Sequence, residues 1–451
     1  MTRAPRHDAP PPLAPACTAA APARRARGVA AALAALVLAL LAAACGDPLA
    51  PGLDRARVTP GDTLWAAVAV GNEHTCALTA AGRAFCWGSD ADGQLGTSAA
   101  LGDCPMPTSP SSTPWSVRCA TTPVAVDGGF RFAQLVATWA GTCGRSPSGA
   151  VACWGGGALA GPRQVRGAPP LRTIARGQNE NVCGLDADGR AWCWSLAKAT
   201  GGGGIADTAR TAEARPVPGD LRFTALGAEC GTTADGALYC WNSVVDTTRF
   251  DRGRVVLDTC RWTVGREGRV ETAPCSPYPV RLRTTVAMRA PAPEERDCAL
   301  SAAGVPYCWG WVADLYAVEG GDPRAVPAPA PLVDLTGPML LCGRTAAGAA
   351  YCRGRGDGGL FGNGAVNGGG GLDRWTRVAD GWAFAALASS GAHACGVTAG
   401  GALVCWGSDV AGQLGSGKQP PAEPCWNPDA YTPPPAACVV RPRPVASIAG
   451  R

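Results

Sequence analysis

The sequence predicts an all-β chain folded as a seven-bladed β-propeller, and three observations carry that reading. Seven cysteine pairs recur at a fixed separation of ten: Cys76 with Cys86, Cys143 with Cys153, Cys183 with Cys193, Cys230 with Cys240, Cys298 with Cys308, Cys342 with Cys352 and Cys395 with Cys405. A glycine stands six residues after the first cysteine of every pair, at Gly82, Gly149, Gly189, Gly236, Gly304, Gly348 and Gly401. The composition, with 61 Gly and 40 Pro among 451 residues and only 17% charged side chains, supplies turn chemistry on a scale that suits many short strands.

The spacing has a geometric reason. In Cys76-Ala-Leu-Thr-Ala-Ala-Gly-Arg-Ala-Phe-Cys86, a three-residue loop Ala80-Ala81-Gly82 sets Thr79 opposite Arg83 and Cys76 opposite Cys86. Such loops are a type I turn followed by a left-handed residue, where glycine is favoured. Directly opposed residues of a non-hydrogen-bonded antiparallel pair lie within disulfide reach. Each repeat therefore predicts one hairpin with one cross-strand bridge. Trp follows the second cysteine in six repeats, with Arg353 the exception.

Each hairpin is followed by a strand ending in a Pro-Val-like motif: Pro123-Val124, Pro216-Val217, Pro279-Val280 and Pro331-Leu332-Val333. Strands such as Phe132–Val136 and Phe384–Leu387 come next. Four short strands per repeat is the pattern of a propeller blade. The first repeat opens at Leu64-Trp65 with no Pro-Val strand before it, and the chain finishes Pro444-Val445 with no hairpin after it. The expectation is that the C-terminal strand closes the first blade, removing an open edge.

The other cysteines also resolve into local pairs, Cys104 with Cys119, Cys260 with Cys275 and Cys425 with Cys438, each inside one insertion between repeats. Twenty paired cysteines point to an oxidising compartment. No C-x-x-C occurs, and a uniform spacing of ten is not that of a structural zinc site. No metal and no cofactor are expected.

The N-terminus reads as a signal peptide over 1–44. Arg24, Arg25 and Arg27 precede an apolar run from Val29 to Ala44, about 16 residues, short for a membrane span but suited to a signal-peptide core. It ends Ala42-Ala43-Ala44-Cys45-Gly46, which resembles the lipobox of bacterial lipoproteins. That resemblance implies that Cys45 is lipidated and becomes the new N-terminus, with residues 45–62 a flexible tether and Cys17 removed with the presequence. Acyl chains on Cys45 would be the sole attachment to a membrane. Five of the 40 basic residues and one of the 35 acidic ones precede Cys45, so the body, 63–451, is close to neutral. That balance gives no footprint for nucleic acid.

The stretch Asn72-Glu73-His74-Thr75-Cys76, Gly82, Cys86-Trp87-Gly88 and Gly93-Gln94-Leu95-Gly96 resembles the regulator of chromosome condensation repeat. The last unit echoes it at His393-Ala394-Cys395, Cys405-Trp406-Gly407 and Gly412-Gln413-Leu414-Gly415. The resemblance implies a seven-bladed propeller over roughly 64–450, and the cysteine-paired form looks like exported bacterial members. The nucleotide-exchange role of the eukaryotic namesake does not follow from the fold.

Chemistry-bearing residues are few. His74 and His393 occupy equivalent framework positions two residues before a repeat cysteine and read as structural. Gly354-Arg355-Gly356-Asp357-Gly358-Gly359 fits G-x-G-x-x-G without the strand–turn–helix setting of a nucleotide loop. Asp90-Ala91-Asp92-Gly93 reads as a β-turn rather than a calcium loop, since no bidentate Glu follows at the right distance. Trp115, Trp139, Trp262, Trp311 and Trp426 lie outside the repeat position or near the insertions, and are the candidate binding surface. These features together predict a non-enzymatic, monomeric scaffold in the cell envelope, with an envelope or extracellular protein or glycan as partner. An inhibitor of an exported hydrolase, similar to secreted β-lactamase-inhibitor propellers, is the second reading. A polysaccharide-acting enzyme is the third.

Overall fold

The computed structural model describes Leu53 and residues 64–106, 115–157, 159–177, 180–196, 212–227, 229–241, 258–264, 269–275, 278–292, 298–309, 323–337, 340–354, 357–366, 374–417 and 438–448; at 115, 258–264, 269–275 and 357 it describes the backbone alone. The expected presequence, Cys45, Trp311, Cys425 and Trp426 lie outside the described residues, as do the side chains of Trp115, Cys260, Trp262 and Cys275. Leu53, inside the expected tether, is buried. Among the described residues no helix is long and apolar enough to cross a membrane.

Seven antiparallel sheets follow one another along the chain, each with four consecutive blade strands. Blade one takes Trp65–Val70, His74–Thr79, Ala84–Ser89 and Trp115–Ala125, and blade seven takes Phe384–Ser389, His393–Thr398, Leu403–Ser408 and Cys438–Pro444. The inner strands of blades two to six are Gln134–Ala137, Leu171–Arg176, Ala225–Leu226, Met288–Pro291 and Leu332–Thr336. Blade one also pairs Gly102–Met106 with its long outer strand, and Asp258–Val264 pairs with Arg269–Cys275 as a separate hairpin within the fourth repeat.

The second and third strands of every blade set the two repeat cysteines directly opposite one another. All seven expected bridges are present: Cys76 to Cys86, Cys143 to Cys153, Cys183 to Cys193, Cys230 to Cys240, Cys298 to Cys308, Cys342 to Cys352 and Cys395 to Cys405, with Cα atoms 4.0–4.1 Å apart. The second cysteine of each pair also faces the outer strand, as Cys153 faces Arg163, Cys240 faces Val280 and Cys352 faces Thr376. These three are buried, so they hold strands together and present nothing to a partner. Cys104 and Cys119 form an eighth bridge, at 5.8 Å, across the extra hairpin of blade one. Disulfides in this number belong to an oxidising environment.

The turn glycines do more than close hairpins. Their φ values run from 75° to 92°, a left-handed conformation that strains any side chain. Each glycine carbonyl also accepts the N–H that opens the next blade's inner strand: Gly82 from Phe132, Gly149 from Leu171, Gly189 from Phe223, Gly236 from Met288, Gly304 from Leu332 and Gly348 from Phe384. The seventh such bond runs from Trp65 back to Gly401 at 2.9 Å, so the series is cyclic. A Cβ at six of these positions would come within 3 Å of the neighbouring blade. Trp65, Phe132, Phe223 and Phe384, at or just before the start of four inner strands, are buried, and each packs on the tryptophan after its own blade's second cysteine, with ring centroids 5.5–6.0 Å apart.

Ring closure differs from the sequence expectation. Cys438–Pro444 pairs with Leu403–Ser408 and completes blade seven, not blade one. Blade one already owns a fourth strand, in which Val124 faces Cys86 much as Arg443 faces Cys405. The join of blades seven and one is made by turn and side-chain hydrogen bonds. Pro331-Leu332-Val333 likewise belongs to an inner strand rather than to the end of a blade. The outer strand of blade five is Arg324–Ala325, paired with Tyr307 and Cys308.

Candidate functional site

Antiparallel order divides the strand ends between two faces. Turn glycines and blade-to-blade connections lie at one. Loops between first and second strands lie at the other, where the insertions after the third strands also leave and return. The second face carries the polar groups that lie closest to function.

His74 and His393 are fully buried there and serve as clasps. His393 Nε2 lies 2.7 Å from Thr75 Oγ1, and His74 Nε2 lies 3.0 Å from Thr142 Oγ1. In both cases a histidine of one blade reaches the threonine before the first cysteine of the next. Burial holds both imidazoles far below their ordinary range, at about 3, so they are neutral. The Gly-Gln-Leu-Gly segments complete the same joints. The Gln413 carbonyl accepts Trp87 Nε1 at 2.9 Å and Thr75 Oγ1 at 2.8 Å, and the Gln94 carbonyl accepts Trp154 Nε1 at 3.0 Å.

Two motifs flagged in the sequence are absorbed by this framework. Gly359-Leu360-Phe361-Gly362 is a worn Gly-Gln-Leu-Gly whose Leu360 carbonyl accepts Trp406 Nε1 at 2.9 Å; this accounts for Gly359, the last glycine of the stretch that suggested a nucleotide loop. Asp90-Ala91-Asp92-Gly93 is a turn, closed by Gly93 N–H on the Asp90 carbonyl. The Asp90 carboxylate accepts from Leu95 N–H and pairs with Arg118 at 3.0 Å. Arg353, in the tryptophan position of blade six after Cys352, is buried with its guanidinium 6.0 Å from the Trp375 ring centroid.

What remains is a cluster where blades two, three and four meet. Its centre is Glu180, on the loop between the first two strands of blade three. Glu180 Oε1 accepts Ala140 N–H at 2.8 Å, and Oε2 lies within hydrogen-bond reach of the Thr138 hydroxyl. Between these two donors stands Trp139, an exposed large aromatic at 49% of its free surface. Its loop is held from the other side too, since the Trp139 carbonyl accepts Asn72 N–H of blade one at 3.3 Å. Burial raises the Glu180 carboxyl to about 7, against the hydrogen bonds and nearby Arg176. Arg176 is buried at the end of the inner strand of blade three. Glu229 of blade four is buried, accepts from Asn181 Nδ2 at 3.0 Å, and has φ 54°, a strained value for a residue with a side chain.

Of the five tryptophans singled out in the sequence, Trp139 alone has a described side chain, and it is exposed. Glu180, Arg176, Glu229 and Thr138 were not singled out. A signal was present: Glu180 precedes Cys183 by three residues, as Glu73 precedes Cys76. Among the described residues no group of three or more His, Cys, Asp or Glu is placed to hold a metal ion.

Residues 65–94 match the regulator of chromosome condensation (RCC1) repeat family. No curated relative matches the sequence. Among solved structures, human WBSCR16 is similar over 81% of this chain and 94% of its own, at 15% identity and TM-score 0.55. A chain in the complex of Kap60 with yeast RCC1 aligns over 85% of this chain and 75% of its own, at 18% identity and TM-score 0.39. The CRINKLY WD40 ectodomain of the Arabidopsis thaliana receptor kinase ACR4 aligns over 76% and 96%, at 17% and 0.37. At 15% identity the likeness to WBSCR16 concerns the fold alone.

Proposed function

We propose that this chain, a propeller carrying a regulator of chromosome condensation repeat, is a lipid-anchored binding scaffold of the cell envelope. Residues 1–44 direct export, acylated Cys45 holds the protein at the membrane, the segment up to residue 62 links anchor to body, and residues 63–451 display a docking face to a protein. The role is non-enzymatic and needs no cofactor. The disulfides support export, because such bonds persist outside reducing compartments.

The observation that carries the binding role is Trp139. An exposed Trp on a loop braced from blades one and three loses little freedom on docking, and such rigid aromatics are where binding energy concentrates. The insertions that open from this face, including the disulfide-closed hairpin of blade one, extend the surface around it.

The test is crosslinking capture by the native lipidated protein in its own envelope, beside Trp139→Ala and a deletion from Leu101 to Thr121. One envelope protein enriched by the wild type and lost with Trp139→Ala is the expected result. If that protein is a hydrolase that loses activity when bound, the scaffold is an inhibitor. Equal capture by all three forms, or capture of nothing, overturns the docking role of this face and directs attention to glycan arrays and turnover assays.

A further inference from the structure

The two faces differ in charge. In the first-to-second-strand loops the charged residues with described side chains are Glu73, Glu180 and Glu229, and in the turns after the third strands they are Asp90, Asp92 and Asp409; no arginine or lysine with a described side chain stands among them. The glycine-turn face is the reverse. Arg131, Arg172, Arg190, Arg222, Arg283 and Arg289 are exposed beside its turns and connections, against Asp188 and Asp220. Its other charges cancel: Arg166 stands opposite Glu213, Asp235 faces Arg281, Asp380 pairs with Arg377 at 3.0 Å, and Arg83 and Asp127 are one of each sign, both half-buried. Arg172 and Arg289 donate through Nη2 to inner-strand carbonyls of the next blade, which holds both charges at this face.

The chain also enters the body at the turn face. The Leu64 carbonyl accepts the N–H of Ala80 in the first blade's turn at 2.9 Å, and Trp65 N–H meets the Gly401 carbonyl of the last blade's turn. Nineteen residues lead from Cys45 to Leu64, at most about 65 Å of fully extended chain. Bringing the opposite face to a membrane that holds Cys45 would run this link around a body on the order of 50 Å across, which takes nearly all of its length. Leu53, buried in the folded unit, already takes up part of it. We propose that the turn face is the membrane-facing side of the propeller and rests its arginines on the anionic headgroups of the bilayer that holds acylated Cys45, with the acidic face and Trp139 turned outward. Anionic lipid attracts basic side chains held within a Debye length of it and repels acidic ones, so both faces favour the same orientation.

This rests on acylation of Cys45, which vesicle flotation tests separately. The native lipidated protein is bound to vesicles of phosphatidylcholine, alone or with about one quarter phosphatidylglycerol, and amide exchange is followed by mass spectrometry. Peptides covering 127–131 and 219–223 are expected to exchange about threefold more slowly on the anionic vesicles at about 0.1 M salt, and to lose that protection at about 1 M. The 138–141 loop is expected to exchange alike on both vesicles. Arg131→Glu with Arg222→Glu should abolish the slowing while the protein still floats; if that variant does not fold, the salt dependence of the wild type decides. Equal exchange of the turn-face peptides on both vesicles, or slowing confined to 138–141, overturns the orientation and leaves the anchor standing. Slowing by soluble polygalacturonate and not by vesicles overturns the bilayer contact and assigns the arginines to an anionic glycan. A wild type that does not float with phosphatidylcholine vesicles overturns the anchor, and the orientation with it.

Discussion

Gly189→Ala tests the bond by which the ring is assembled. Gly189 has φ 81°, and its carbonyl accepts Phe223 N–H of the next blade at 2.8 Å. A Cβ there would stand 2.7 Å from the Phe223 carbonyl oxygen and 3.2 Å from its nitrogen. The left-handed conformation alone costs an alanine about 1–2 kcal/mol. The contact is with backbone, so no rotamer relieves it, and blade four must move outward. That weakens a hydrogen bond worth about 1 kcal/mol and loosens the fit of Phe223 on Trp241. The expected destabilisation is about 3 kcal/mol. Gly129→Ala is the matched control, with φ 58° and nothing within 4 Å of its Cβ, and is expected to lose about 1 kcal/mol. Urea unfolding of the oxidised proteins, followed by tryptophan fluorescence, compares the midpoints. Equal losses in the two variants would mean that glycine is needed for its φ alone and that the turn-to-strand contact carries no stability.

Three further outcomes are expected. Replacing Cys183 and Cys193 together by alanine opens one hairpin bridge and should lower stability by about 2–3 kcal/mol, read as a fall in urea midpoint that is absent when both proteins are fully reduced. Trp87→Phe removes the bond to the Gln413 carbonyl at the join of blades seven and one; because Thr75 still serves that carbonyl, the loss should be about 1 kcal/mol, checked by the same unfolding curves. Thermal midpoints against pH should fall on the acid side, because His74 and His393, held at about 3 when folded, take up protons on unfolding below their ordinary 6.5. Glu180 and Asp409, held at about 7, have the opposite sign, so stability also declines as pH rises from their ordinary values towards 7, and Glu180→Gln should lessen that decline.

The repeat could be read from the sequence because each of its features answers a local constraint. A glycine at the third loop position, two cysteines facing each other across a hairpin and a tryptophan behind them are set by strand period and turn geometry, both visible in one dimension. A regularity that went unused is the Ser, Thr or Asp three residues after each first cysteine: Thr79, Ser146, Asp186, Thr233, Ser301, Thr345 and Thr398. Each carbonyl accepts the turn glycine's N–H, and six of the seven side chains also accept the N–H at the fourth following residue. The closing strand is not legible in sequence because Pro444-Val445 fits the end of any blade, and only pairing decides which one. The Glu180 cluster was hidden for a different reason. Its members come from blades two, three and four and share no spacing, so they meet only after the ring has formed.

The same distinction separates the two faces. On the turn face a side chain at a turn glycine would collide with the next blade, so the glycines there are fixed by packing. On the opposite face the first-to-second-strand loops are joined by hydrogen bonds of side chains, and these tolerate substitution blade by blade. His74 and His393 close two joints; Arg353 replaces tryptophan at another; at the junction of blades two and three the place is taken by Glu180, an ionisable group that no apolar packing requires. A half-buried carboxyl is less favourable for stability than a neutral amide, which could make the Ala140 bond without a charge to desolvate. Glu180 instead ties the loop of an exposed tryptophan to blade three through two hydrogen bonds, and burial opposes its charge.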